Sequence, residues 1–212
     1  MLYSELIPAV ERGSQRLMIM LHGLGDSIEG YRWFPEAMRL PWLNYLLVNA
    51  PDEYYGGYSW FNLNTDNIAP GVHRSRALLF ELLDAERAKG FPTEQTILGG
   101  FSQGCLMTME AGLRYPHKFA GLVGISGWVC ELKRVLEELS PVAREQRFLM
   151  THGTFDSVAA IGRTRRQVTD LQAAGLRVEW HEFAKPHTIA GEEEIRVIRE
   201  FVRAGYADVV GQ

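Results

Sequence analysis

Short apolar runs alternate along the chain with longer stretches in which apolar residues recur every three or four positions. The first kind suits strands buried on both faces and the second suits helices that cover them, so the alternation predicts a mostly parallel sheet with helices on both sides. Six runs read as core strands, at residues 17–21, 45–48, 95–98, 119–125, 147–151 and 177–183. Helical spacing covers 72–89, where Leu78, Leu79, Leu82 and Leu83 fall on one side and Gly90 and Pro92 end the pattern. It returns at 103–115, halted by Pro116, at 160–174, ended by Gly175, and in a last helix faced by Ile195, Ile198, Phe201 and Val202. No repeat or linker interrupts the series, which predicts a single domain over residues 1–212.

One stretch breaks the rhythm. Residues 51–71 carry Tyr54, Tyr55, Tyr58, Trp60 and Phe61 among glycines and are too long for an ordinary connection. Such a segment is expected to form a lid or binding loop; packing over the edge of the core is the competing reading.

Composition narrows the partners. The 22 Lys and Arg against 26 Asp and Glu leave a net charge of -4, so no basic field exists to attract a nucleic-acid backbone. Cys105 and Cys130 lie in apolar stretches without a Cys-x-x-Cys pair or ligand-spaced histidines, which predicts buried free thiols and no metal site. The first thirteen residues include Glu5, Pro8, Glu11 and Arg12 rather than a basic start, apolar run and cleavage site, and no apolar run is long enough to span a membrane. A cytoplasmic protein without an integral membrane segment is expected.

The chemistry centres on Gly100-Phe101-Ser102-Gln103-Gly104, which follows one expected strand and opens an expected helix. A serine at such a sharp turn stands clear of the sheet, and the flanking glycines let neighbouring backbone approach. Without that context Ser102 would read as an ordinary helix N-cap. A serine hydroxyl needs a base to take its proton and an acid to orient the base, both on loops after later strands. Asp156 follows the fifth strand through His152-Gly153-Thr154-Phe155, whereas Asp170 falls inside a helix. Of the two histidines beyond it, His181 sits within the last strand and His187 lies in the loop after it, so His187 is the expected base. His73 and His117 read as solvated, and His152 as a strand-end residue near the acid loop. Attack on a carbonyl also needs two fixed donors for the oxyanion. The Gln103 N–H is one candidate, and the Leu24 N–H in the loop His22-Gly23-Leu24-Gly25-Asp26 is the other, with His22 and Asp26 as structural supports.

These segments, together with Ser126-Gly127-Trp128, resemble the phospholipase/carboxylesterase family, small α/β-hydrolases that include acyl-protein thioesterases. The similarity spans nearly the whole chain. It implies the α/β-hydrolase fold, the triad Ser102, Asp156 and His187, and an oxyanion hole from Leu24 and Gln103. The departures fall in loops: Ser157-Val158-Ala159-Ala160 follows the acid where the family usually has a proline, Pro186 replaces a glycine before the histidine, and Asn62 replaces an aspartate after Trp60-Phe61.

The resulting expectation is a serine carboxylesterase that hydrolyses short- to medium-chain acyl esters through an acyl-serine intermediate, without a cofactor. Tyr58, Trp60, Phe61 and Trp128 are expected to line the acyl pocket. An acyl-protein thioesterase or lysophospholipase acting on long chains is the alternative, and a ligand-binding relative without catalysis a third reading. The expected partner is a small-molecule acyl ester, and a homodimer is left open.

Overall fold

A computed structural model describes residues 1–206; residues 207–212 of the span expected as one domain lie outside the described residues. Among the described residues nine strands and six α-helices follow in the order β1 (Ser4–Ile7), β2 (Leu17–Leu21), α1 (Phe34–Met38), β3 (Asn44–Val48), β4 (Asp52–Tyr54), β5 (Gly57–Ser59), α2 (Ala69–Ala88), β6 (Thr96–Phe101), α3 (Gln103–Arg114), β7 (Gly121–Ile125), α4 (Leu132–Glu137), β8 (Arg147–Gly153), α5 (Ile161–Ala173), β9 (Arg177–Phe183) and α6 (Glu192–Ala204). Seven strands form the main sheet, ordered β1-β3-β2-β6-β7-β8-β9. The six expected core strands are its parallel members.

The side-chain period of a strand divides the core in two. Leu17, Ile19 and Leu21 of β2 pack with Val72, Leu79 and Leu82 of α2, Leu106 of α3 and Val168 and Leu171 of α5. Met18 and Met20, the residues between them, face the other way toward Phe34 and Met38 of α1 and Ile195, Ile198 and Phe201 of α6. Helices therefore cover both faces, and each β2 residue is buried. This is why the central strands read as unbroken apolar runs.

Two features were not expected. β1 pairs antiparallel with β3 and forms an edge, its four residues only half buried except for exposed Leu6, so the sequence there lacks an apolar run. The aromatic stretch is not an open loop: β4 and β5 form a two-stranded hairpin, and Trp60 and Phe61 beyond it are 0% exposed within the core.

The sheet order puts β6 at the middle of the seven strands, and its C-terminal end delivers Ser102. Loops from β2, β8 and β9 reach the same edge, as parallel strands require.

Candidate active site

The turn from β6 to α3 presents Ser102 with φ 55° and ψ -114°, a left-handed conformation that a non-glycine residue adopts at a cost of about 1–3 kcal/mol. Neighbouring bonds hold it there: the Ser102 N–H donates to Ile125 O at 2.9 Å, and its carbonyl accepts from Leu106 N–H at 3.2 Å. The flanking glycines are sterically required. A Cβ on Gly100 would lie 2.3 Å from Gly104 O, and one on Gly104 2.1 Å from Leu21 O. The turn thus closes against the end of β2.

Ser102, Asp156 and His187 converge from three loops. Ser102 Oγ and His187 Nε2 are 2.9 Å apart, and His187 Nδ1 and Asp156 Oδ2 are 2.7 Å apart. With the proton assigned to Nδ1, that nitrogen donates to the carboxylate and Nε2 accepts from the hydroxyl. The three groups are arranged to pass a proton from hydroxyl to imidazole while the carboxylate stabilises the charge formed. The Phe101 ring supports the imidazole, with centroids 4.8 Å apart.

Asp156 is oriented on both oxygens. Oδ1 accepts the Val158 and Ala159 N–H groups at 2.9 and 2.8 Å, leaving Oδ2 for His187. Burial pushes its pKa up, yet the His187 hydrogen bond, the backbone donors and the His187 charge outweigh this and hold the carboxyl below the usual carboxylate range. His152, fully buried at the end of β8, bonds Ala159 O through Nε2 at 2.8 Å and lies 3.4 Å from Asp156 Oδ2. Burial lowers its pKa, so it serves as a neutral support beneath the acid loop. The acid and base loops are joined directly, because Phe155 N–H donates to Lys185 O at 3.1 Å.

His187 is held by an unanticipated device. Lys185 and Glu194, 3% and 0% exposed, form an ion pair at 2.5 Å. Lys185 Nζ also donates to Thr188 O at 2.8 Å, and the second Glu194 oxygen accepts Ala190 N–H at 2.6 Å. The pair therefore grips the chain on the C-terminal side of His187. The acidic run 192–194 signals a helix start, but nothing in its letters distinguishes buried Glu194 from its exposed neighbours. Replacing Lys185 by methionine is expected to cost about 3–5 kcal/mol in urea unfolding and to depress kcat more than it raises KM. Replacing both partners, Lys185→Met with Glu194→Leu, should recover most of the stability, since no charge is then left unpaired.

The backbone donors also come together. Leu24 and Gln103 line the cavity at Ser102, and neither N–H has an acceptor among the described residues. The aromatic segment holds the loop that carries Leu24. Gly25 N–H donates to Tyr58 O and Tyr58 N–H to Asp26 O, both at 2.9 Å. Trp60 Nε1–H donates to His22 O at 2.9 Å, while His22 Nε2 accepts Ala50 N–H at 3.0 Å. The Gln103 side chain completes the brace, accepting from Trp60 N–H at 2.9 Å and donating to Phe61 O at 2.8 Å.

This corrects the expected pocket. Tyr58, Trp60 and Phe61 do not line the cavity, because their backbone and ring bonds draw them into the scaffold under the Leu24 loop; Trp128 does line it. Beside Trp128, the cavity, about 590 Å³, is walled by Leu63, Val158, Ala159, Ala160 and Arg163. Apart from Trp128, their signal in the sequence was position alone, four of them falling in the segment after the acid.

The remaining histidines stand apart. His181 pairs with Glu179 at 2.7 Å on β9, and His73 and His117 are half buried rather than solvated. Cys105 and Cys130 are free and buried. Among the described residues no three His, Cys, Asp or Glu side chains group as a metal site would need, and no helix is long and apolar enough to cross a membrane.

Residues 4–205 match the phospholipase/carboxylesterase family model. The chain belongs to the phospholipase/carboxylesterase family. Among its relatives, acyl-protein thioesterase 1 of Schizosaccharomyces pombe is 35% identical over 154 residues, 66% of this chain and 68% of the relative. A probable carboxylesterase of Oryza sativa subsp. japonica is 29% identical over 213 residues, 91% of this chain and 80% of the other. The crystal structure of esterase PE8 superposes with a TM-score of 0.82 at 26% identity, covering 95% of this chain and 98% of that one. The α/β-hydrolase fold and the assignment as a carboxylic ester hydrolase rest on this family membership together with the sheet described above.

Proposed function

We propose that this family member hydrolyses short- to medium-chain carboxylic esters with Ser102 as nucleophile, His187 as base and Asp156 as its orienting acid. The observation that carries the reading is the unbroken relay from Ser102 Oγ to His187 Nε2 at 2.9 Å and from His187 Nδ1 to Asp156 Oδ2 at 2.7 Å. In the first half-reaction Oγ bonds the carbonyl carbon as its proton passes to Nε2. The oxyanion accepts from Leu24 and Gln103 N–H, and collapse expels the alcohol, which takes the proton from Nε2. Water then repeats the sequence on the acyl-serine, giving the acid and restoring the hydroxyl. Two free buried thiols accord with a reducing cytoplasm, the compartment we infer.

The thioesterase name of the Schizosaccharomyces pombe relative favours long acyl thioesters as a second reading. A charged Arg163 in the cavity wall supports the shorter acyl range, because a long alkyl chain gains about 0.8 kcal/mol per methylene only against apolar surface. An oxygen-ester and thioester series from acetyl to palmitoyl separates the two. A maximum of kcat/KM between butyryl and octanoyl oxygen esters is expected; a maximum at the palmitoyl thioester would establish the second reading instead.

A further inference from the structure

The cavity beside Ser102 contains a cation that its own chain leaves unsatisfied. Arg163, on the first turn of α5, lines this cavity, and its guanidinium carbon sits 5.4 Å from the centroid of the Trp128 ring. Among the described residues its side chain has no ion-pair or hydrogen-bond partner; only its backbone N–H is engaged, with Ala160 O at 3.0 Å. The neighbouring Arg165 is the contrast, bonded through two nitrogens to both oxygens of Glu182 at 2.8 and 2.9 Å. No carboxylate of the cavity wall pairs with it. Asp156 is filled by His187 and two backbone donors, and Asp26 Oδ1 accepts Ser27 N–H at 2.8 Å.

A cation–π contact with the indole holds a guanidinium near the ring while leaving its N–H groups free to donate. Such a guanidinium can meet a carboxylate through two parallel hydrogen bonds. Two cavities meet at His187, and their sizes and linings divide the substrate between them. His187 returns its proton to the leaving oxygen, so the leaving group lies beside the imidazole, where a separate cleft of about 200 Å³ is bounded by Trp33, Phe101, His187, Thr188 and Ile189. The larger cavity, which His187 also borders, carries both free backbone donors, Trp128 and Arg163, and has the room for the acyl group.

We propose that Arg163 binds a carboxylate at the distal end of the acyl group, so that the preferred substrates are half-esters of dicarboxylic acids. This rests on the Ser102 ester-hydrolase reading above and names its substrate class. Because Arg163 is solvent-exposed, the selectivity expected is about fivefold rather than absolute.

The test uses the full chain and methyl half-esters of succinate, glutarate, adipate and suberate, each compared with the neutral alkanoyl ester of equal length. At one chain length the acidic substrate should exceed its neutral partner in kcat/KM by about fivefold, chiefly through KM, and added salt should shrink the gap. In Arg163→Ala the acidic-to-neutral ratio should fall to near unity, in Arg163→Glu it should invert, and Arg163→Lys should keep part of it. A ratio near unity in the parent at every length, or a raised ratio unchanged in Arg163→Ala, overturns the assignment. Fluorophosphonate labelling of Ser102 distinguishes the two failures: labelling with turnover but no acidic preference removes Arg163 alone, whereas no labelling and no turnover removes the hydrolase reading and this proposal with it.

Discussion

Replacing Ser102 by alanine is expected to lower kcat for a chromogenic acyl ester by about 10⁶-fold, with the protein still folded. In the proposed reaction alanine deletes the atom that would bond the acyl carbon, so the relay loses its first member while the cavity and both backbone donors remain. The substitution removes only the hydroxyl of a residue 9% exposed, whose partner is His187 Nε2, and the backbone bonds of the turn to Ile125 O and Leu106 N–H are untouched. Thermal unfolding should therefore change little. Labelling by a fluorophosphonate should vanish in the same variant. Retained turnover in enzyme free of contaminating esterase would remove Ser102 from the chemistry.

The second large effect is at Asp156. Asp156→Asn is expected to lower kcat by about 10⁴-fold, because the defect lies in the tautomer of its neighbour. An asparagine oxygen can keep the Val158 and Ala159 N–H bonds, which turns its amide donors toward His187 Nδ1. Nδ1 must then accept, Nε2 carries the proton, and the imidazole can no longer receive one from Ser102. The variant also tests the depressed carboxyl pKa. A carboxylate held below its ordinary range stabilises the fold above that range, and the contribution disappears as pH falls through the lowered value. Urea unfolding should thus show the parent losing its advantage over Asp156→Asn on strong acidification, not near neutrality. An advantage that persists undiminished in acid would contradict that sign.

The parallel strands were legible in the letters because strands covered on both faces must be apolar throughout, and β2 is buried at every position. The convergence of Ser102, Asp156 and His187 was equally accessible, since parallel topology sends each loop to one edge of the sheet. β1 escaped notice because an edge strand half open to solvent carries charge and polarity in its four residues. The aromatic stretch misled for a different reason. Whether Trp60 and Phe61 face a ligand or the interior depends on the Gln103 amide, forty-odd positions later, bonding Trp60 N–H and Phe61 O. Local composition contains no trace of such a pairing. The Lys185–Glu194 pair was hidden likewise, as charged residues beside a helix start ordinarily face water.

The manner in which Asp156 is held has a consequence for how this enzyme can diversify. Its Oδ1 is bonded by main-chain groups of residues 158 and 159, whose side chains belong to the cavity wall. Backbone donors are common to every residue except proline, so the wall can be rewritten without disturbing the aim of the carboxylate. Selectivity and reactivity are in that sense separately inherited, and libraries confined to the segment after the acid should yield new preferences more often than dead protein.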